Sequence, residues 1–115
     1  MVTETERAAY VQRIDPDART EYVEAHEDVP AGVTDAMERA GVETFQVFVR
    51  DEIAVCVLEC EDIDAYTAAV ADDPAVEAWE RRVAQFKRDG VDVNAEGDEQ
   101  VPYMEEIWSF ETNRA

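Results

Sequence analysis

VETFQVFVRDEIAVCVLEC, residues 42–60, contains two β-rich runs joined by Arg50-Asp51-Glu52. Val, Ile, Phe and Thr are frequent here, and so short a join turns the chain back on itself, so the segment is expected to be an antiparallel hairpin. In its first run Phe45, Val47 and Val49 share one face, while Thr44, Gln46 and Phe48 share the other. Neither face is wholly polar, which implies that both sides of the sheet are partly covered.

Upstream, AAYVQRI (8–14) reads as a strand that stops at Asp15-Pro16-Asp17, a turn and helix-start signal. From Asp17 onward, Tyr22, Val23, His26, Val29, Val33 and Met37 recur at spacings of three or four until Ala40-Gly41 ends the helix, with Pro30 bending or splitting it. Downstream, Asp62 caps a helix running through Tyr66 and Val70. Pro74 opens a second helix with an apolar stripe of Val76, Trp79, Val83 and Phe86, expected to end at Asp89-Gly90. An acidic loop (91–101) separates this helix from PYMEEIWSF (102–110), expected to be the last strand.

This order predicts a ferredoxin-like α+β sandwich: an antiparallel sheet with helices on one face. Its other face would stay exposed, so the chain is expected to form a homodimer packed sheet to sheet, a dimeric α/β barrel. The 115 residues suit one domain, residues 8–110, with 1–7 and 111–115 as loose termini.

Charge narrows the function classes. The formal net charge is −19, from 29 acidic and 10 basic residues, and Lys87 is the only lysine. Such a surface repels itself at low salt and is screened at high salt, which points to a halophile's cytoplasm. It argues against nucleic acid, whose phosphates need a cationic face, and against anionic membranes. The N-terminal stretch MVTETERAAY carries no basic region followed by an apolar run, and no segment approaches the ~20 apolar residues of a membrane span.

Little classical catalytic equipment is present. Cys56 and Cys60 lie on one strand face about 13 Å apart, too far to bridge, and read as small buried residues. With a single histidine, His26, they make no conventional zinc site. The four glycines are scattered, so there is no phosphate-binding loop, and GxSxG is absent. What remains is Tyr22 and His26 one helical turn apart, Trp79 and Glu80 on another helix, and Glu59 between apolar neighbours in a strand. Taken by themselves His26, Tyr22, Trp79 and Glu80 read more readily as ordinary packing and surface positions than as a site, and only Glu59 is evenly balanced.

Their arrangement along the chain is more specific. YVQRIDPDARTEYVEAH, then the hairpin, then DDPAVEAWERR and a final EEIWSF, resembles the L-rhamnose mutarotase family over residues 8–110. The resemblance implies small, sheet-dimerised, ferredoxin-like proteins that interconvert the α and β anomers of L-rhamnopyranose without a cofactor. By position it implies His26 as proton donor and Tyr22 as a sugar-binding residue. Phe45 falls where the family usually has a sugar-binding tyrosine. Trp79 matches the first of a tryptophan pair, and Glu80 replaces the second. The latter two departures bear on the identity of the sugar, L-rhamnose or a related aldopyranose, more than on the reaction.

Mutarotation needs a proton given to the ring oxygen and another taken from the anomeric hydroxyl, and imidazole changes charge within the physiological pH range. The reaction also runs in water, so a modest acceleration suffices for a useful enzyme. Two other classes fit the same architecture: a non-catalytic dimeric sugar-binding module, and a cofactor-free oxygenase acting on an electron-rich aromatic substrate.

Overall fold

The computed structural model describes residues 5–89 and 101–110. Its strands are β1 (Glu6–Ile14), β2 (Val42–Arg50), β3 (Ile53–Cys60) and β4 (Lys87–Asp89). The helices are α1 (Arg19–Ala25), α2 (Ala31–Arg39), α3 (Ile63–Ala71) and α4 (Pro74–Ala84).

Local chemistry sets most of these boundaries. The Asp15 carboxylate accepts from the Asp17 amide, and Pro16 opens a short 3₁₀ turn into α1. Pro30 has no amide hydrogen and becomes the cap of α2, so the long helical pattern is split by a 3₁₀ turn at His26–Asp28. Asp62 caps α3 by accepting from Ala65 N, and Asp73 caps α4 by accepting from Ala75 N and Val76 N. The β2–β3 connection is two residues, since Arg50 pairs with Ile53, and Asp51 takes a left-handed φ of 53°. That tip is held down: Glu52 O accepts from Ile14 N at 2.7 Å, and Asp51 O accepts from Arg19 Nε at 2.8 Å.

The sheet order is β2-β3-β1-β4, antiparallel throughout. Alternation divides its residues between two faces. Tyr10, Gln12 and Ile14 of β1 and Ala54, Cys56, Leu58 and Cys60 of β3 are buried beneath the helices. Tyr22, Ala25, Val33, Trp79 and Val83 from α1, α2 and α4 pack with Ile14 and Ala54, while Tyr66 of α3 packs with Tyr10, Cys56, Leu58 and Cys60. This is the expected α+β sandwich with helices on one sheet face. On the opposite face, Val11 lies beside Val55, which lies beside Phe48, and Ala9 lies beside Val57. Phe48 is 61% exposed there.

Several boundaries differ from the sequence expectation. Strand β1 begins at Glu6, inside the terminus expected to be loose, and Glu6 Oε1 accepts from Ile63 N at 2.8 Å. Helix α4 ends at Ala84 rather than near Asp89, and residues 87–89 become the fourth strand. No glycine or proline stops α4 there; the Phe86 carbonyl instead accepts from Asp15 N at 2.9 Å as Phe86 packs on the core, so tertiary pairing overrides helical propensity. Residues 102–110 do not form the last strand. They make one bridge, Tyr10 to Tyr103, and a hydrogen bond from Met104 N to Ala9 O, after which Ile107, Trp108 and Phe110 are exposed. Beyond Met104 the segment pairs with no strand among the described residues. Val23 is also exposed rather than on the apolar helix face. Most of the acidic loop (91–100) and residues 111–115 lie outside the described residues.

Candidate active site

Between the inner sheet face and the four helices lies a cavity of about 450 Å³. His26, Tyr22, Phe45, Trp79 and Glu80 all line it, so the five candidate residues converge on one space. Glu59 does not: it sits on the outer sheet face, paired in register with Arg7 and Thr44. Cys60 is a buried core residue, while Cys56 is buried and lines the cavity, and both are free thiols.

The position of His26 follows from how α1 ends. There the helix tightens into a 3₁₀ turn, and the His26 amide bonds to Val23 O and Glu24 O instead of to the carbonyl four residues back. Tyr22 O is left for the imidazole, whose Nδ1 lies 2.8 Å away. A carbonyl only accepts, so Nδ1 carries the hydrogen and Nε2 is the nitrogen left without that partner. The ring is held by aromatic neighbours, Tyr22 at 4.6 Å and Trp79 at 5.2 Å between centroids. Trp79 is itself flanked by the Arg82 guanidinium at 5.8 Å, so it packs the core as well as lining the cavity.

Glu80 supplies the second proton-active group. Burial pushes its carboxyl above the ordinary value of 4.5, while Lys87 and then His26 pull it back down. Its Oε2 lies 3.6 Å from Lys87 Nζ, and the lysine side chain is 3% exposed against 20% for the glutamate. Burial also raises the Tyr22 and Tyr66 phenols, so both stay protonated and offer hydrogens rather than charge. The remaining walls are largely apolar, with Val29, Val33, Val47, Val76 and Val83 among them. Tyr103 closes one end, its hydroxyl 2.7 Å from Thr67 Oγ1 and its ring edge-on to Tyr10.

Sequence reasoning missed Gln12 and Lys87. Gln12 is 5% exposed and lines the cavity. A glutamine spaced by two from Tyr10 and from Ile14 in a strand must share their apolar face, and that was the available signal. Lys87 was marked by its uniqueness in an acidic chain, but only the course of β4 places it indoors.

A family model described as L-rhamnose mutarotase matches residues 7–110. The chain belongs to this family. Among solved structures, an L-rhamnose mutarotase from Formosa agariphila is 16% identical with a TM-score of 0.71, the match covering 92% of this chain and 99% of that one. The tetracenomycin F2 cyclase of Streptomyces glaucescens, a type-II polyketide cyclase, is 19% identical with a TM-score of 0.67, covering 94% and 99%. A putative antibiotic biosynthesis monooxygenase from Nitrosomonas europaea is 11% identical with a TM-score of 0.58, covering 77% and 85%. At these identities the likenesses establish the fold. No curated protein sequence matches the chain.

Proposed function

We propose that this mutarotase-family chain interconverts the α and β anomers of L-rhamnose or a related aldopyranose by cofactor-free acid/base catalysis. The observation that carries the reading is the bond from His26 Nδ1 to Tyr22 O, which leaves Nε2 as the exchangeable site in a cavity that also holds the Glu80 carboxylate.

In the forward step imidazolium Nε2–H protonates the ring oxygen as Glu80 takes the proton of the anomeric hydroxyl. The C1–O5 bond breaks and C1=O1 forms. Rotation about C1–C2 presents the other carbonyl face, and closure returns one proton to Glu80's partner oxygen O1 and the other to His26. No net proton, electron or cofactor is consumed. Tyr22 donates to a sugar oxygen, while Trp79 and Phe45 meet the C–H face. The valine-rich wall favours a deoxysugar, whose methyl replaces a hydroxyl that would otherwise lose its water.

The chain works as a homodimer packed through its outer sheet face, in a halophile's cytoplasm. No helix among the described residues is long and apolar enough to cross a membrane.

Saturation-transfer NMR on the anomeric protons of L-rhamnose at high salt tests the reaction. Added protein should speed α/β exchange, and His26→Ala should remove most of the gain, ~10²-fold or more for a positioned acid. No acceleration with rhamnose, fucose, mannose, galactose or glucose would instead mark a non-catalytic sugar-binding module.

A further inference from the structure

Two polar residues that the acid/base scheme does not use, Lys87 and Gln12, are joined to two that it does, Glu80 and Tyr22. Lys87 Nζ is hydrogen-bonded to Gln12 Oε1 and lies 3.6 Å from Glu80 Oε2. Gln12 Nε2 in turn lies 3.4 Å from Tyr22 Oη and 3.4 Å from Cys56 Sγ. Gln12, Glu80 and Tyr22 line the cavity, whereas Lys87 is not among its lining residues.

The directions of these bonds are forced by chemistry. An ammonium only donates, so the glutamine oxygen is committed to Lys87 and its NH₂ must point away, toward Tyr22. Tyr22 Oη therefore accepts from Gln12, and its own hydrogen is directed elsewhere, with the cavity beside it. The same ammonium faces the Glu80 carboxylate, which burial alone would drive toward its neutral form. One lysine thus biases two cavity groups at once: it favours the acceptor form of Glu80 and the donor orientation of Tyr22.

We propose that Lys87 and Gln12 are positioning residues that set a charged acceptor at Glu80 and a fixed donor at Tyr22, so that the cavity selects a ligand presenting a hydroxyl hydrogen and an acceptor oxygen together. A cyclic hemiacetal has that pair in its anomeric hydroxyl and ring oxygen. The ligand class rests on the mutarotase reading; the positioning does not. Burying an ammonium and a carboxylate is costly, and apolar replacements of such a pair are often no less stable. A purely structural role would therefore leave this cluster with little to do.

The test has two readouts. Carboxyl ¹³C NMR follows the Glu80 titration in the unaltered protein and in Lys87→Met, and should show the Glu80 midpoint moving upward in the variant. Saturation-transfer rates are then measured for Lys87→Met, Glu80→Gln and the double variant, in which neither member of the Lys87–Glu80 pair is left charged without the other. Lys87→Met should lower turnover ~10-fold or more, and that loss should shrink in the Glu80→Gln background, leaving only the part that runs through Gln12 and Tyr22. A Glu80 midpoint that stays put, or losses that simply multiply, would overturn the positioning role. A midpoint that moves in a protein accelerating no sugar would support that role while ending the mutarotase reading.

Discussion

His26 illustrates how much of the site a residue-by-residue reading could reach. Its spacing from Tyr22 was visible in the sequence, but only the family resemblance lifted it above an ordinary helix residue. The feature that fixes its ring and tautomer, a carbonyl left open where α1 tightens, is a backbone event no side-chain pattern encodes. Gln12 was legible from its alternation with Tyr10 and Ile14 and was passed over, whereas Lys87 depends on a short edge strand that no sequence pattern announces. Phe45 is the departure with the clearest consequence. It lines the cavity beside Leu58 in register, so its ring faces that space without a polar group to offer. Phe45→Tyr should restore one hydrogen bond to the sugar, worth ~0.5–1.5 kcal/mol, and lower KM between about twofold and tenfold with kcat little changed. Saturation-transfer rates across sugar concentrations would show this; an unchanged or raised KM would mean that the new hydroxyl points into the core.

Among the elements, the helices carried the strongest signals and the last strand the weakest. Asp62, Asp73, Pro16, Pro30 and Pro74 punctuate the chain with local chemistry, and each boundary they mark is present. β4 is three residues long with no alternation to detect, and only the sheet edge beside β1 gives it a partner. The approach of α2 to α4 is another feature without a sequence signature. A Cβ built on Gly32 would stand 2.9 Å from Ala75 Cβ, closer than carbon atoms tolerate. These two helices carry Val33 and Trp79 into the cavity, so their separation also sets its width. By helix propensity alone Gly32→Ala should stabilise by up to ~1 kcal/mol. Here the clash wins, and thermal unfolding should show Tm lowered by several degrees, with sugar affinity reduced as the helices part. A higher Tm would mean that the helices separate at no cost.

On the scale of the whole molecule, two apolar regions are exposed among the described residues. The outer sheet face carries Val11, Val55 and Phe48 in a row, and residues 104–110 carry Ile107 and Trp108, which are 87% and 78% exposed. The sequence reading anticipated the exposed face from the order of elements, which places the helices on one side of the sheet. It misjudged the C-terminal segment by making 102–110 a strand, where among the described residues Tyr103 bridges to β1, Met104 N bonds to Ala9 O and the Glu106 side chain meets Arg7. Both regions lie on a chain of net charge −19, so a sheet-to-sheet homodimer must bury apolar area against strong mutual repulsion. Salt decides that balance, since the screening length falls from ~10 Å at 0.1 M to ~3 Å at 1 M. Size-exclusion chromatography with light scattering should therefore give a dimer in molar KCl that dissociates on dilution into 0.1 M. If the C-terminal segment helps cover the partner, Ile107→Ser, Trp108→Ser and Phe110→Ser combined should shift the protein toward monomer even in molar salt. Because these side chains are exposed in the single chain, their loss should leave its fold intact, so a monomer with unchanged circular dichroism is the expected result. A dimer that persists unaltered would assign the interface to the sheet face alone.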